Sequence, residues 1–161
     1  MLPQVRLRKH RPGDMGWVVQ RHGELYWDEF GYDVRFEALV AGIVAGFIHA
    51  FDAKRERCWI AERKGKRLGA VFLVKKSAGE AQLRLLIVEP AARGLGLGRR
   101  LVRECVRFAR RCGYRKVVLW TQSELAAARA IYGKTGFRLV GKERHKSFGK
   151  SLTGEYWELT L

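Results

Sequence analysis

The sequence predicts an α/β fold, in which a mixed central β-sheet is flanked by helices on both faces. Two observations lead to this prediction. From residue 83 onward, short apolar runs typical of buried strands alternate with segments of helical periodicity. Ahead of them, the apolar residues between Phe36 and Phe51 recur with the spacing of a helix. The chain has 161 residues and no linker or low-complexity segment, which predicts one domain spanning residues 1–161.

The first half of the chain is predicted to form a strand, two helices and a β-hairpin. Asp14 and Asp33 are the expected N-caps of the two helices, because an aspartate side chain can accept hydrogen bonds from the first free amides. His22 and His49 lie on the apolar stripes of these helices, where we expect core or boundary positions. In order, the elements are a strand at 5–8, a helix from 15 to about 29, a helix after Asp33, and hairpin strands at 58–62 and 68–75.

The second half is predicted to alternate strands and helices. The run at 83–88 is almost entirely apolar, as expected of a strand covered on both faces, and Pro90 should end its pairing. The elements after it are a helix through Cys112 with Gly113 as C-cap, a strand at 116–121, a helix capped by Ser123 that stops at Gly133 or Gly136, and a strand pair at 138–142 and 155–161.

A glycine-rich loop separates the apolar strand from the helix that follows it. The sequence Arg93-Gly-Leu-Gly-Leu-Gly98 places glycines at a helix start, where the backbone can approach a ligand closely. Free amides of the first turn and the positive end of the helix dipole favour a phosphate there. Arg93, Arg99 and Arg100 add positive charge. The loop therefore predicts a pyrophosphate site, although its spacing matches neither the dinucleotide-binding nor the P-loop pattern.

Two motifs carry a family resemblance. Arg93, Gly96 and Gly98 form an Arg-x-x-Gly-x-Gly pattern that resembles the acyl-CoA signature of the GCN5-related N-acetyltransferase (GNAT) family. Downstream, the segment 127–137 is similar to the second signature of the family, a helix ending in tyrosine followed by Gly-Phe and a strand. The resemblance covers nearly the whole chain. It is closest to the acetyltransferase half of bacterial fusions that carry a MarR-type winged-helix regulator.

The resemblance implies a GNAT-like domain that binds acetyl-CoA as cosubstrate. In the family, the strand that corresponds to Leu86–Val88 splays from its neighbour, so that the pantetheine arm can pair with it. Tyr132 matches the tyrosine that protonates the departing thiolate, and Leu125 stands where members often carry asparagine. The implied cofactor contacts are Leu86, Ile87, Val88, Arg93, Gly94, Leu95, Gly96, Leu97, Gly98, Arg99, Leu125 and Tyr132.

An amine acceptor must lose a proton before it attacks, because amines of the lysine type are protonated at neutral pH. Many members of the family use a carboxylate or a water chain for this step. Glu29 is the expected catalytic carboxylate, and the remaining candidates are Asp28 and Glu89 as bases and Gln82 and Arg84 as positioning residues.

The acceptor pocket is expected to border the first helical region, as it does in the family. Carboxylates there could bind a cationic acceptor, and aromatic side chains could form the walls. The residues concerned are Glu24, Asp28 and Glu29 for charge and Trp27, Phe30 and Tyr32 for the walls, while the segment 145–150 could close over the acceptor.

The net charge of the chain indicates which classes of binding partner to expect. The sequence has 32 Lys and Arg against 16 Asp and Glu, a formal net charge of +16. Such a charge favours nucleic acid, an acidic membrane surface or the phosphates of CoA. Because no helix-turn-helix or RNA-binding aromatic signature accompanies the charge, nucleic acid stays possible without a motif to support it. The family also suggests a possible homodimer.

Cysteines and hydropathy indicate the compartment. Three cysteines without a framework or zinc spacing predict reduced thiols and no metal. The N-terminus lacks the apolar region of a signal peptide, and the segment 36–51 is too short to span a bilayer. We therefore expect a soluble cytoplasmic protein without a membrane partner.

These observations predict an N-acetyltransferase that transfers an acetyl group from acetyl-CoA directly to a primary amine, without a covalent enzyme intermediate. The alternative is a CoA-binding regulatory or nucleic-acid-associated basic protein without turnover. A third interpretation keeps the cofactor site and replaces the amine by another acceptor.

Overall fold

The computed structural model describes residues 4–161. These residues form one sheet and four α-helices. The elements in chain order are β1 (Arg6–Lys9), α1 (Asp14–Phe30), α2 (Val34–His49), β2 (Arg57–Arg63), β3 (Lys66–Lys75), β4 (Glu80–Val88), a short 3₁₀ turn (Pro90–Ala92), α3 (Leu97–Arg111), β5 (Lys116–Gln122), α4 (Ala126–Thr135), β6 (Arg138–Ser147) and β7 (Lys150–Thr160).

The sheet has seven strands in the order β1-β2-β3-β4-β5-β7-β6. Within it, β4 and β5 run parallel, and the other neighbouring pairs are antiparallel. A parallel pair needs a crossover connection, and α3 supplies it. The hairpin of β2 and β3 and the closing pair of β6 and β7 are as predicted.

Two apolar cores lie on opposite faces of this sheet. Successive side chains of a strand point to opposite faces, and along β2 Trp59 belongs to one core and Ile60 to the other. Leu101 of α3 packs in the first core, whereas Val18 of α1 and Val44 of α2 pack in the second. The predicted fold class, a mixed sheet with helices on both faces, is therefore confirmed.

One predicted cap of the first two helices is confirmed and the other is wrong. Asp33 caps α2 by accepting a hydrogen bond from the amide of Arg35 at 3.0 Å. Asp14 is instead the first residue of α1, and the N-cap is Gly13 with φ +97°. The reason is that the carboxylate of Asp14 is bound by the side chains of Arg8 and Arg67 and by the amide of Arg11.

The cap predicted at Ser123 is also wrong. Helix α4 begins at Ala126, its N-cap is Leu125, and no side chain caps it. The amide of Ser123 still donates to the carbonyl of Thr153 on β7, so this residue extends the pairing of β5 with β7. At the other end the helix stops at Gly136, which is one of the two predicted positions.

The two helical histidines differ in their environment. His22 is buried, as expected, whereas His49 is exposed at the end of α2. The apolar stripe of α2 is only partly buried. Of this helix, only Val40, Val44 and Phe47 are fully covered by the sheet and α1. Leu39 and Ile48 consequently remain about half-exposed.

Within residues 4–161, no helix is both long and apolar enough to cross a membrane. Cys58 and Cys105 are buried, Cys112 is partly exposed, and all three are free. Burial raises the pKa of the Cys58 and Cys105 thiols well above the usual value. Across the same residues, no group of three or more His, Cys, Asp or Glu side chains is arranged to hold a metal ion.

Candidate active site

Strands β4 and β5 separate halfway along their length. They pair only between Glu80–Gln82 and Lys116–Val118, although both strands continue beyond these residues. Leu85 has φ +53°, a costly left-handed conformation for leucine, where the register of β4 against β3 shifts. Such a bulge bends a strand. The edge at 83–88 therefore faces β5 without a strand partner, in agreement with the splay that the sequence resemblance implied.

A cleft of about 170 Å³ opens where the strands part. Helices α1 and α2 supply aromatic and aliphatic walls, the two strands supply the floor, and α4 supplies Tyr132. None of the described residues that line the cleft is an aspartate or a glutamate. The lining residues include His22, Tyr26, Tyr32, Phe36, Leu39, Gln82, Arg84, Leu86, Trp120, Thr121, Gln122, Leu125, Tyr132 and Phe148.

The loop before α3 fits a phosphate group. Gly96 is the N-cap with φ +85°, and no atom lies within 4 Å of the place where its Cβ would stand. The first backbone hydrogen bond of the helix joins the amide of Arg100 to the carbonyl of Gly96. The amides of Leu97, Gly98 and Arg99 thus lack intrahelical acceptors and stand at the positive end of the dipole. The open loop and the free amides could hold the pyrophosphate of acetyl-CoA.

Gly98 serves packing as well as ligand approach. It is buried, and a Cβ at this position would stand 2.7 Å from Cδ1 of Ile131 on α4. A larger residue at this position would therefore displace the side chain of Ile131. Since α4 carries Tyr132 into the cleft, Gly98 links the loop to the position of that tyrosine.

Two predicted site residues bind each other. The guanidinium of Arg93 donates to the carboxylate of Glu29 at 2.6 and 2.8 Å, and its Nε donates to the carbonyl of Val88 at 3.2 Å. Both side chains are partly exposed, and Glu29 does not line the cleft. Glu29 and Arg93 therefore join the end of α1 to the phosphate-fitting loop.

Tyr132 lines the cleft and is 5% exposed. Its ring packs near Phe137 and Trp157, with centroids 5.9 and 6.4 Å away. Burial, with a smaller contribution from Tyr26, raises the pKa of its phenol. The hydroxyl consequently stays protonated near neutral pH and can donate a proton or a hydrogen bond into the cleft.

Two buried polar groups in the α1–α2 wall lack partners. His22 accepts no proton at neutral pH, because burial lowers its pKa to about 4. Its Nδ1 lies 2.8 Å from the carbonyl of Val18, which fixes the proton on Nδ1 and leaves Nε2 as a free acceptor. The hydroxyl of Tyr32 also has no hydrogen-bond partner, although burial and the nearby Glu124 raise its pKa. Both atoms are buried within this wall.

Of the other site residues predicted from the sequence, some line the cleft and others lie outside it. Leu86, Leu125, Gln82 and Arg84 line the cleft. The side chain of Ile87 is instead buried in the α1–α2 core. Leu95 is 40% exposed in the loop.

The acidic candidates lie outside the cleft. Glu24 and Glu89 both pair with Arg21, and the Glu89 pair has contacts of 2.7 and 2.8 Å. Trp27 is 60% exposed and does not line the cleft. Of the three predicted aromatic walls, only Tyr32 lines it, and Phe30 packs behind with its centroid 5.9 Å from that ring.

Sequence reasoning missed Trp120 on β5. Trp120 and Gln122 line the cleft, and the side chain of Gln122 contacts Nε2 of His145 on β6 at 2.9 Å. Their two-residue spacing on one strand face was the available signal. Phe148, in the segment expected to cover the acceptor, lines the cleft and stacks on Tyr32 with centroids 5.3 Å apart.

Comparisons with known proteins agree with this architecture. The family model described as the acetyltransferase (GNAT) family matches residues 19–137. An uncharacterized N-acetyltransferase from Schizosaccharomyces pombe is 30% identical over 122 residues, which cover 74% of each chain. The structure of yncA from Salmonella typhimurium, which contains acetyl-CoA, has a TM-score of 0.77 at 18% identity and covers 98% of this chain and 94% of that one.

A further relative is N-acetyltransferase family 8 member 3 from Rattus norvegicus, 38% identical over 89 residues. The match covers 52% of this chain and 39% of the rat protein, so the chain spans about two fifths of that relative. With the family model matching most of its length, the chain belongs to the GNAT acetyltransferase family. Members of this family use acetyl-CoA as cosubstrate.

Proposed function

We propose that this protein transfers an acetyl group from acetyl-CoA directly to a primary amine. The observation that carries the proposal is the opening between β4 and β5, which has the phosphate-fitting loop of Gly96 beside it and the phenol of Tyr132 in its wall. The N-acetyltransferase names of the fission yeast and rat relatives support an amine as the acceptor.

Each part of this region has a role in the proposal. The amides at the start of α3 bind the pyrophosphate, and the unpaired edge of β4 holds the extended arm of the cosubstrate. Tyr132 holds the proton that the departing thiolate requires. Glu29 stays a candidate base, and its ion pair with Arg93 would have to open before the carboxylate could accept a proton.

The alternative of a CoA-binding regulatory or nucleic-acid-associated protein without turnover finds no support among these relatives, which are named as acetyltransferases. The closer resemblance to MarR-type fusions, a cytoplasmic location and a homodimer remain hypotheses. The net charge of +16 leaves room for a polyanionic partner in addition to the cosubstrate.

Calorimetric titration of acetyl-CoA tests the cofactor assignment, with CoA lacking the 3′-phosphate and NAD as comparison ligands. We expect micromolar binding of acetyl-CoA and no response to NAD. An absence of acetyl-CoA binding to the folded protein would remove the proposal.

A further inference from the structure

Arg84 is a cation in the cleft wall without an anionic partner. It lies on β4 two residues after Gln82, so both side chains point to the α1–α2 face of the sheet, and both line the cleft. Among the described residues, no carboxylate oxygen lies within 4 Å of its guanidinium. A partly buried charge without a partner is unfavourable, and such a group is a candidate for ligand binding.

Some of the other partly buried arginines in this chain are paired with carboxylates, whereas Arg55, Arg57 and Arg63 are not. Arg8 contacts Asp14, Arg21 contacts Glu89 and Arg129 contacts Glu155, at 2.7 to 2.8 Å. Burial alone acts on Arg84 and lowers its pKa from the usual value, although an arginine remains charged near neutral pH. Arg84 thus differs from Arg8, Arg21 and Arg129 in having no carboxylate partner, and from Arg55, Arg57 and Arg63 in lining the cleft.

An acidic side chain that shares a groove with Arg84 is already engaged. Glu56 lines a neighbouring groove together with Arg84. Its two carboxylate oxygens accept hydrogen bonds from the amides of Asp52 and Lys75, at 3.0 and 2.9 Å. The cleft itself contains no carboxylate among its described lining residues. A ligand that brings an anion into the cleft would therefore meet no competing carboxylate among these lining residues.

The rest of the cleft complements an apolar group. Phe36, Leu39 and Phe148 provide apolar walls. His22 also borders the cleft, but its neutral imidazole is buried. One cleft thus combines an unpaired cation with apolar walls.

We propose that Arg84 binds a carboxylate of the acceptor, so that the preferred acceptor is a primary amine that also carries a carboxylate and an apolar substituent. Apolar amino acids have this chemistry. The inference rests on the proposed acetyl transfer and replaces the cationic acceptor expected from the acidic segment, whose Glu24 and Glu29 are held in ion pairs outside the cleft.

The test compares phenylalanine with 2-phenylethylamine, which lacks the carboxylate, in a thiol-release assay. R84Q removes the charge, R84K keeps it, and R103Q removes an arginine from the exposed face of α3 as a matched control. Each substrate is compared with itself across the variants, so that differences in amine basicity cancel. A charge-assisted hydrogen bond predicts that R84Q lowers kcat/KM for phenylalanine by about tenfold or more.

The same variant should leave kcat/KM for 2-phenylethylamine and the Kd of acetyl-CoA within about twofold of the parent. R84K should retain part of the activity on phenylalanine, and R103Q all of it. R84Q should also unfold at no lower temperature than the parent, because it removes a charge that has no partner. An equal loss on both substrates would overturn the assignment and leave the acetyl transfer intact.

If acetyl-CoA binds and neither amine is acetylated, the protein does not transfer acetyl groups to these acceptors. Equilibrium binding then tests whether Arg84 binds a carboxylate. Phenylalanine is then titrated into the protein saturated with CoA. Binding that is lost in R84Q and kept in R103Q would support the carboxylate site. No binding, or equal binding to R84Q and the parent, would overturn it.

Discussion

Arg93 and Glu29 lie 64 residues apart in the chain and form a bidentate ion pair, with contacts of 2.6 and 2.8 Å. The pair connects the C-terminal end of α1 to the loop that precedes α3. It therefore places a carboxylate beside the guanidinium that the sequence assigns to the pyrophosphate. A phosphate that binds this loop must compete with Glu29 for Arg93.

We expect E29Q to tighten the binding of acetyl-CoA by about two- to fivefold, because it frees Arg93 from a partly exposed ion pair. The measurement is the Kd from calorimetric titration. E24Q is the control, since Glu24 pairs with Arg21 and not with the loop.

The turnover of E29Q distinguishes an ion-pair role from a catalytic one. We expect kcat to change by less than about threefold, because the carboxylate is held outside the cleft. A fall of about a hundredfold or more, with a changed pH profile, would instead identify Glu29 as the general base.

Y132F should lower kcat by about tenfold to a hundredfold, because the variant keeps the ring and loses the proton that the thiolate requires. The Kd of acetyl-CoA should remain within about twofold of the parent. Y114F is a matched control, since it removes the hydroxyl of another buried tyrosine, which donates to the carbonyl of Arg55 at 2.8 Å. Equal turnover of Y132F and the parent would remove the acid role.

Substitution at Gly96 tests the phosphate site through charge alone. Asparagine and aspartate have the same shape, and both tolerate a positive φ better than other side chains. G96D should weaken acetyl-CoA binding by about tenfold or more relative to G96N, because it places a negative charge where the phosphate binds. Similar affinities of the two folded variants would contradict the site.

Because of Asp14, we expect the folded protein to lose stability at low pH. Burial favours its neutral form, but hydrogen bonds from Arg8, Arg67 and the Arg11 amide outweigh this effect and lower its pKa to about 2. A carboxylate whose pKa is lowered by folding stabilises the protein above its unfolded pKa. This contribution, about 2 kcal/mol, is lost as pH falls from about 4 to about 2.

D14N should lower the free energy of unfolding at pH 7 by about 3 kcal/mol or more, because it leaves Arg8 with one carboxylate partner fewer. The difference between D14N and the parent should shrink as pH falls towards 2. Urea unfolding across this pH range measures both effects, with D28N as the control for an exposed carboxylate on the same helix. A difference that does not vary with pH would contradict the pKa of Asp14.

The fold and the glycine-rich start of α3 could be predicted because their signals are local. The apolar run at 83–88, the glycines of the loop and the caps at Asp33 and Gly136 each reflect a preference expressed within a few residues. The predicted cap at Asp14 failed because arginine side chains bind its carboxylate, and the one at Ser123 failed because its backbone still pairs with β7 and the helix begins three residues later.

The residues that line the cleft could not be predicted from local sequence signals. The lining depends on the left-handed Leu85, which no local pattern of leucines indicates, and on Trp120 of a strand that parts from β4 only in three dimensions. The lack of a carboxylate near Arg84 is likewise a property of the packed structure. Sequence reasoning named Arg84 as one of two positioning residues, with Gln82, and had no means to single it out.

The most direct test of acetyl transfer incubates the protein with acetyl-CoA and a panel of primary amines that includes amino acids, and follows thiol release and product mass. We predict acetyl-CoA-dependent thiol release that requires an amine, a product heavier by one acetyl group, and a much slower rate with Y132F. Acetyl-CoA binding with no amine-dependent thiol release across the panel would contradict transfer to an amine.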